Sequence, residues 1–413
     1  MTDRASLSCY CAAAGRLFLA VGGALALGLS ALAIEPLGMQ GLGWPSTGDE
    51  QGKRLSLFVG ASCGTDSNPR RAEDPAEVQE ETLTEYLVGV AIVGGNDHRR
   101  YDLAYQGRLD DFLGDAPDFQ EHCMLLGLGT YSERFHIGVR GKLALLADPS
   151  DPDLVALGAG DLVNRTLTAV APDMSINFGR TEVSVGYSVA STDFGGDFGW
   201  LDMSETATSG ELRWWRGEGL QLFARGESGR VERKESIYPS FDYSRFYAGW
   251  RSETPRRSGL EFGLGVQTLS GFEGATAEDR HELVFATLRT TRVLSEGRAS
   301  LDLACTRTSE PSASATYKDV LAAQVRYRRQ SGRRFSWSIG MLVDQSQMTE
   351  PYPSTPEDSL RLTGELQLAL EIGSPSRTHG RLYATAAYES RSANDSQFDY
   401  ERLRLLAGLA LVH

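Results

Sequence analysis

From Arg54 to the last residue, His413, this chain alternates apolar and polar residues with a period of two. No run of about ten residues has helical spacing. In VSVGYSV, Val183, Val185, Tyr187 and Val189 fall on one face and Ser184, Gly186 and Ser188 on the other. GLEFGLGVQ sets Leu260, Phe262, Leu264 and Val266 against Glu261, Gly263, Gly265 and Gln267. LRLTGELQLALEI repeats the pattern, with leucines opposite Arg361, Thr363, Glu365, Gln367 and Glu371. Strands of this kind build either a soluble sandwich or a membrane barrel with a wet interior. Length separates the two, because many runs span about 10–15 residues and soluble strands about 5–6. In a barrel the apolar face meets lipid and closure leaves no unpaired edge. The expected fold is therefore all-β, a single antiparallel transmembrane β-barrel over residues 53–413.

The N-terminus supports export. Arg4 and Arg16 precede the apolar run LFLAVGGALALGLSALA, and Ala31-Leu32-Ala33 is a small-x-small cleavage site, so residues 1–33 are expected to be a signal peptide. A retained anchor is the alternative, disfavoured by the short, glycine-broken run. Residues 34–52 read as a flexible lead-in. Cleavage would leave Cys63, Cys123 and Cys305, widely spaced and odd in number, which indicates neither a zinc site nor a disulfide scaffold.

Connections alternate in length. Short ones are expected at His98-Arg99, Ser132-Glu133, Arg180-Thr181, Gly217-Glu218, residues 254–257, Ser295-Glu296, Gln330-Ser331-Gly332 and residues 374–379. Longer ones lie between them, as expected of outer-membrane barrels with short periplasmic turns and longer outer loops. The spacing predicts about 18 strands, with 16 as the alternative, and a bulge at Pro172 in the sixth. The terminal segment RLLAGLALVH places Leu405, Ala407, Leu409, Leu411 and His413 on one parity. A terminal strand of this type is what the barrel-insertion machinery recognises, with histidine here in the usual aromatic's place.

The formal charge is −14 and the pI near 5.0, which argues against a nucleic-acid partner. Only Lys53, Lys142, Lys234 and Lys318 interrupt an otherwise all-arginine set of 41 basic residues. Arginines flank the short turns: Arg180, Arg216, Arg251, Arg298, Arg329, Arg333 and Arg381 form the expected periplasmic mouth. The long loops are rich in acid, including Asp66, Glu81, Asp193 and Asp202. Parity directs Arg140, Arg213, Arg225, Arg245, Arg326, Arg328, Arg334, Arg361, Arg402 and Arg404 into the lumen, together with Glu182, Glu211, Glu261 and Glu365. Two readings stand: an arginine-lined pore that favours anions, or a mixed-sign ladder that ties the wall together.

Residues 297–341, GRASLDLACTRTSEPSASATYKDVLAAQVRYRRQSGRRFSWSIGM, resemble the hairpin pattern of exopolysaccharide-associated outer-membrane barrels of the β-barrel porin 2 type. The carriers are Thr306-Arg307-Thr308-Ser309-Glu310-Pro311-Ser312 and Tyr327-Arg328-Arg329-Gln330-Ser331-Gly332-Arg333. GRTEVSVGYSVASTDF, residues 179–194, is a second partial match, and the strand number is similar to that of the alginate-export porin. The resemblance implies export of an anionic cell-surface polysaccharide across a Gram-negative outer membrane. Its partners would be the lipid bilayer, lipopolysaccharide, the polymer and a separate periplasmic export protein. A general small-solute diffusion porin is the alternative, and a plugged structural or adhesive barrel a further one. No GxSxG, HExxH or CxxC is present, and the histidines lack ligand spacing, so neither an enzyme nor a cofactor is expected.

Overall fold

The computed structural model describes residues 54–413 apart from 69–79, 97, 115–117, 147–163, 218, 235–237, 254–257, 273–279, 295–298, 313–314, 333, 350–356, 374–377 and 395–398. The expected signal peptide and lead-in lie outside the described residues.

Eighteen strands follow in order: β1 (Arg54–Asp66), β2 (Glu81–Asn96), β3 (Arg99–Phe112), β4 (Phe119–Tyr131), β5 (Phe135–Leu146), β6 (Arg165–Asn177), β7 (Thr181–Phe194), β8 (Met203–Trp215) and β9 (Leu220–Arg233). The second half holds β10 (Phe241–Glu253), β11 (Gly259–Ser270), β12 (His281–Leu294), β13 (Ala299–Pro311), β14 (Tyr317–Ser331), β15 (Phe335–Thr349), β16 (Asp358–Ile372), β17 (His379–Ala393) and β18 (Tyr400–Val412). A short 3₁₀ helix, Gly196–Leu201, sits between β7 and β8. Each strand pairs antiparallel with its sequence neighbours, and β1 pairs with both β2 and β18, so the sheet closes. β1 begins and β18 ends on the short-turn side. Leu57 and His413 exchange backbone hydrogen bonds of 3.0 and 2.9 Å, so the terminal histidine completes the ladder beside β1.

The turn pattern read from the sequence matches the strand breaks, and the strand number is 18. The expected bulge at Pro172 does not form. Pairing of β6 with β7 lapses at Ala171 and Pro172 but resumes in one register, from Val170↔Val189 to Asp173↔Gly186. Proline removes one donor without inserting an extra residue, so the strand keeps its phase.

Outward positions carry the apolar residues of the alternation. Leu55, Leu57 and Val59 on β1, Val183 to Val189 on β7, and Leu403, Leu405, Leu409 and Leu411 on β18 are exposed on the bare barrel. In a bilayer they form the lipid-facing band. Near the short turns Tyr327 and Trp337 pack with ring centroids 5.1 Å apart, and Trp214 shares that face and end. These rings belong to an interfacial girdle.

Polarity inside is less uniform than alternation implies. Leu83, Phe112, Phe119 and Leu406 form one buried inward cluster towards the long-loop end. Ala207, Val231, Phe241, Tyr243, Leu269 and Tyr317 form another. A third, Phe223, Tyr247 and Phe285, lies against Gly263 and Gly265, whose missing side chains leave room for the rings.

Candidate functional site

The lumen is the candidate site, and its side chains follow from register. Because directly paired residues in antiparallel strands point to the same side, the chain Asp66↔Glu81, Ser62↔Glu85↔Asp110 and Asp66↔Arg404 brings residues from both chain ends onto one inner patch. There Arg404 Nη2 lies 2.7 Å from Asp110 and 3.1 Å from Glu85. Arg108 reaches the same two carboxylates at 2.7 and 3.1 Å. Arg402 grips Asp66 at 2.5 Å, and Ser62 donates to Glu85 at 3.1 Å. Asp66 and Asp110 are 0% exposed, so every charge here depends on its partner. Asp66, read from the sequence as an outer-loop anion, is a buried ion-pair member at the end of β1.

A second lattice spans β7 to β11. Arg213 pairs with Glu211 at 2.5 Å and with Glu182 at 3.0 Å. Glu227 takes Arg225 at 3.3 Å and Arg245 at 3.7 Å. Tyr243 donates to Glu205, and Arg251 meets Glu261 at 2.5 Å. On the remaining arc Arg361 pairs with Asp344 at 2.9 Å, and Glu371 holds Arg381 at 2.7 Å and His379 at 2.8 Å.

Six of the arginines that parity sends inward, Arg213, Arg225, Arg245, Arg361, Arg402 and Arg404, are thus held by carboxylates, and so are Arg251 and Arg381 of the expected mouth. Arg140 differs: its side chain is 65% exposed and only 4.0 Å from Asp173 at the nearest approach. Arg326 stands opposite Asp302 and Gly340, and Arg328 opposite Ser300 and Ser338. Arg334 sits in the turn before β15 and is exposed, rather than on the lumen wall. Arg180, Arg216, Arg328 and Arg329 are likewise exposed at the short-turn end, whereas Arg298 and Arg333 lie outside the described residues. Exposed cations therefore remain at the short-turn rim beside the paired Arg213, Arg251 and Arg381, whereas Arg108, Arg402 and Arg404 towards the long loops are all charge-paired.

Among the described residues, inward arginines not singled out from the sequence include Arg108, Arg165, Arg233, Arg289 and Arg391. Arg108 could have been, since it shares parity with Asp102, Gln106 and Asp110 in one alternating run.

A hairpin narrows the long-loop end. The β12–β13 ladder runs from Leu294↔Ala299 to Thr287↔Thr306 and stops there. Beyond it, β13 and β14 lean over the inner wall. Gln267 on β11 donates to Ser309 O at 2.8 Å and accepts from Ser309 N at 3.0 Å, standing in for a strand partner. Arg245 on β10 donates to the same carbonyl at 2.9 Å. Arg233 on β9 reaches the carbonyls of Ser312, Ala315 and Thr316 at 2.7, 3.2 and 3.1 Å. Gln267, Arg245 and Arg233 are all inward by register, so the hairpin lies inside the barrel.

No family model matches the chain, and no curated protein does. Solved barrels match over most of its length. A BenF-like porin from Pseudomonas fluorescens Pf-5 is 10% identical over 88% of this chain and 99% of its own, with a TM-score of 0.47. Pseudomonas aeruginosa OccK2 (OpdF), solved in complex with glucuronate, is 13% identical over 87% and 96%, with a TM-score of 0.44. The outer membrane protein OpdK of Pseudomonas aeruginosa is 11% identical over 87% and 99%, with a TM-score of 0.43. These are likenesses of barrel architecture, and they add nothing to the resemblance to exopolysaccharide barrels. The fold, read from its own strand pairing, is a closed antiparallel barrel of 18 strands of the outer-membrane type.

Proposed function

We propose that this chain is an outer-membrane channel for small hydrophilic solutes, not an exporter of an anionic polymer. The observation that carries this is the pairing of the lumenal arginines. Export of a polyanion called for spaced, available cations as successive weak sites. Six of the ten lumen-directed arginines have carboxylate partners, and a paired arginine presents little net field to a passing anion. The hairpin across the long-loop end also reduces the passage that a hydrated polymer would need. Barrels of 16–18 strands otherwise leave an aqueous channel, so a narrowed lumen suits solutes of limited size.

The available cations lie towards the periplasmic end. Arg140, Arg328 and the rim residues Arg180, Arg216, Arg329 and Arg334 would supply a mild anion preference by raising local anion concentration. The test is reconstitution of the full chain into liposomes and planar bilayers. Expected are entry of small neutral sugars with a steep size cut-off, ion conductance with weak selectivity, and no block by an acidic polysaccharide. Strong block by such a polymer, with exclusion of small sugars, would return the export reading.

A further inference from the structure

The fork between β12 and β13 leaves two strand ends lying side by side without a ladder. β12 begins at His281 and β13 runs to Pro311, yet pairing stops at Thr287↔Thr306. Extending the same register would set Arg307 opposite Ala286 and Ser309 opposite Val284. The rest of the hairpin is conventionally held: β13 pairs with β14 up to Pro311↔Tyr317, and β14 with β15 up to Tyr317↔Thr349. The hairpin therefore hinges on its β15 side and is detached on its β12 side.

Its inner seat consists of side-chain contacts. Ser309, Asp319 and Tyr317 share the parity of Leu303 and Leu321, which face lipid further along the same strands. At the fork that face turns onto the inner wall. Asp319 lies 3.2 Å from His281 Nε2, Tyr317 packs on His281 at 4.7 Å between ring centroids, and Tyr317 joins Phe241, Tyr243 and Leu269. The backbone N–H and C=O of Ser309 go to the Gln267 amide. In a completed wall those backbone groups would serve the sheet instead. Occupying one seat therefore vacates the other, which is the requirement for a two-state element.

We propose that the β13–β14 hairpin is the gate of this lumen, moving between the inner seat on Gln267, Arg245 and Arg233 and an outer seat zipped onto His281–Ala286 of β12. The exchange trades side-chain hydrogen bonds for ladder hydrogen bonds using groups already present. In the outer seat Ser309 and Asp319 lie level with Val284, beyond Leu321 and towards the headgroups, where a carboxylate is tolerated. The gating role rests on the lumen being a channel; the two seats do not.

Cross-linking distinguishes the seats. In a background with Cys63, Cys123 and Cys305 replaced by serine, the pair Gln267→Cys with Ser309→Cys reports the inner seat and Val284→Cys with Ser309→Cys the outer. Disulfide formation in native membranes is read by gel mobility, and conductance in bilayers before and after reductant. Both pairs are expected to cross-link, the inner lowering conductance and the outer raising it, each by about twofold or more and reversibly. Folding is checked by heat-modifiable migration, and Gln267→Ala, which removes the inner anchor without cross-linking, is expected to raise conductance. A fixed hairpin, shown by inner cross-linking alone and an unchanged Gln267→Ala channel, overturns the proposal. Both cross-links with unaltered conductance overturn the gate. Both cross-links in a barrel that conducts nothing would instead sink the channel reading and leave the two seats standing.

Discussion

Arg404 places a single nitrogen, Nη2, between Glu85 and Asp110, at 3.1 and 2.7 Å. The last strand is thereby tied to the second and third across the line where the barrel closes. Asp110→Ala removes the carboxylate that Arg404 and Arg108 share and leaves two buried guanidiniums against Glu85. Breaking a buried pair from one side costs about 3–5 kcal/mol. The expected outcome is a folded band on unheated gels that is lost at a clearly lower temperature than in the wild type. Glu133→Ala, at an exposed turn, should stay within about 0.5 kcal/mol. Equal melting of the two variants would show that the seam lattice does not hold the closure.

Charge balance in the lumen makes selectivity tunable from the acidic side. Glu211 accepts Arg213 at 2.5 and 3.2 Å and stands in register with Arg225. Glu211→Gln therefore uncovers positive charge, and the reversal potential in a salt gradient should move towards that of chloride. Arg140→Gln, at a largely exposed cation whose nearest carboxylate, Asp173, is 4.0 Å away, should move it the other way. An unchanged potential in both would mean that ions do not pass these residues.

How much of this was legible beforehand differs by level. Alternation gave the faces, because a one-residue slip would put Leu405, Leu409 and Leu411 inside and Arg402 and Arg404 in lipid. Turn positions followed from the same pattern. The arginine lumen was readable only as a set of directions. Whether Arg361 meets Asp344 or Arg402 meets Asp66 depends on register between strands, and for the second pair on closure between residues at opposite ends of the chain. The hairpin was invisible for a related reason. Ser309 and Asp319 break the apolar alternation of β13 and β14 near a loop, where polar residues are expected anyway, and nothing local marks Gln267 as their seat.

Thiol chemistry separates the two faces. By register Cys123 shares the inner face with Gln106, whereas Cys63 is exposed on the outer face with Val59 and Leu57. A charged, membrane-impermeant thiosulfonate should modify Cys123 and reduce conductance, and Cys123→Ser should abolish the effect. A lipid-soluble maleimide should label Cys63 in intact membranes. Labelling of Cys63 by the charged reagent alone would contradict the assignment of faces.

Two glycines should respond to alanine with opposite sign. Gly64 on β1 faces Leu406 across the closing seam, and a Cβ there would overlap the carbonyl oxygen of Leu405 and come within 2.7 Å of its carbon. Those atoms are backbone, so the two strands would have to separate, at a cost of about 1–3 kcal/mol. Gly364 on β16 shares the outward parity of Leu362 and Leu366, and a Cβ there meets nothing within 4 Å. With no backbone obstacle, Gly364→Ala restricts the unfolded chain and should stabilise by about 0.4–1 kcal/mol. Thermal loss of the folded band, measured for both variants in one detergent, reads the two signs directly. A Gly64→Ala barrel as stable as wild type would mean that β1 and β18 do not approach as closely as their pairing requires.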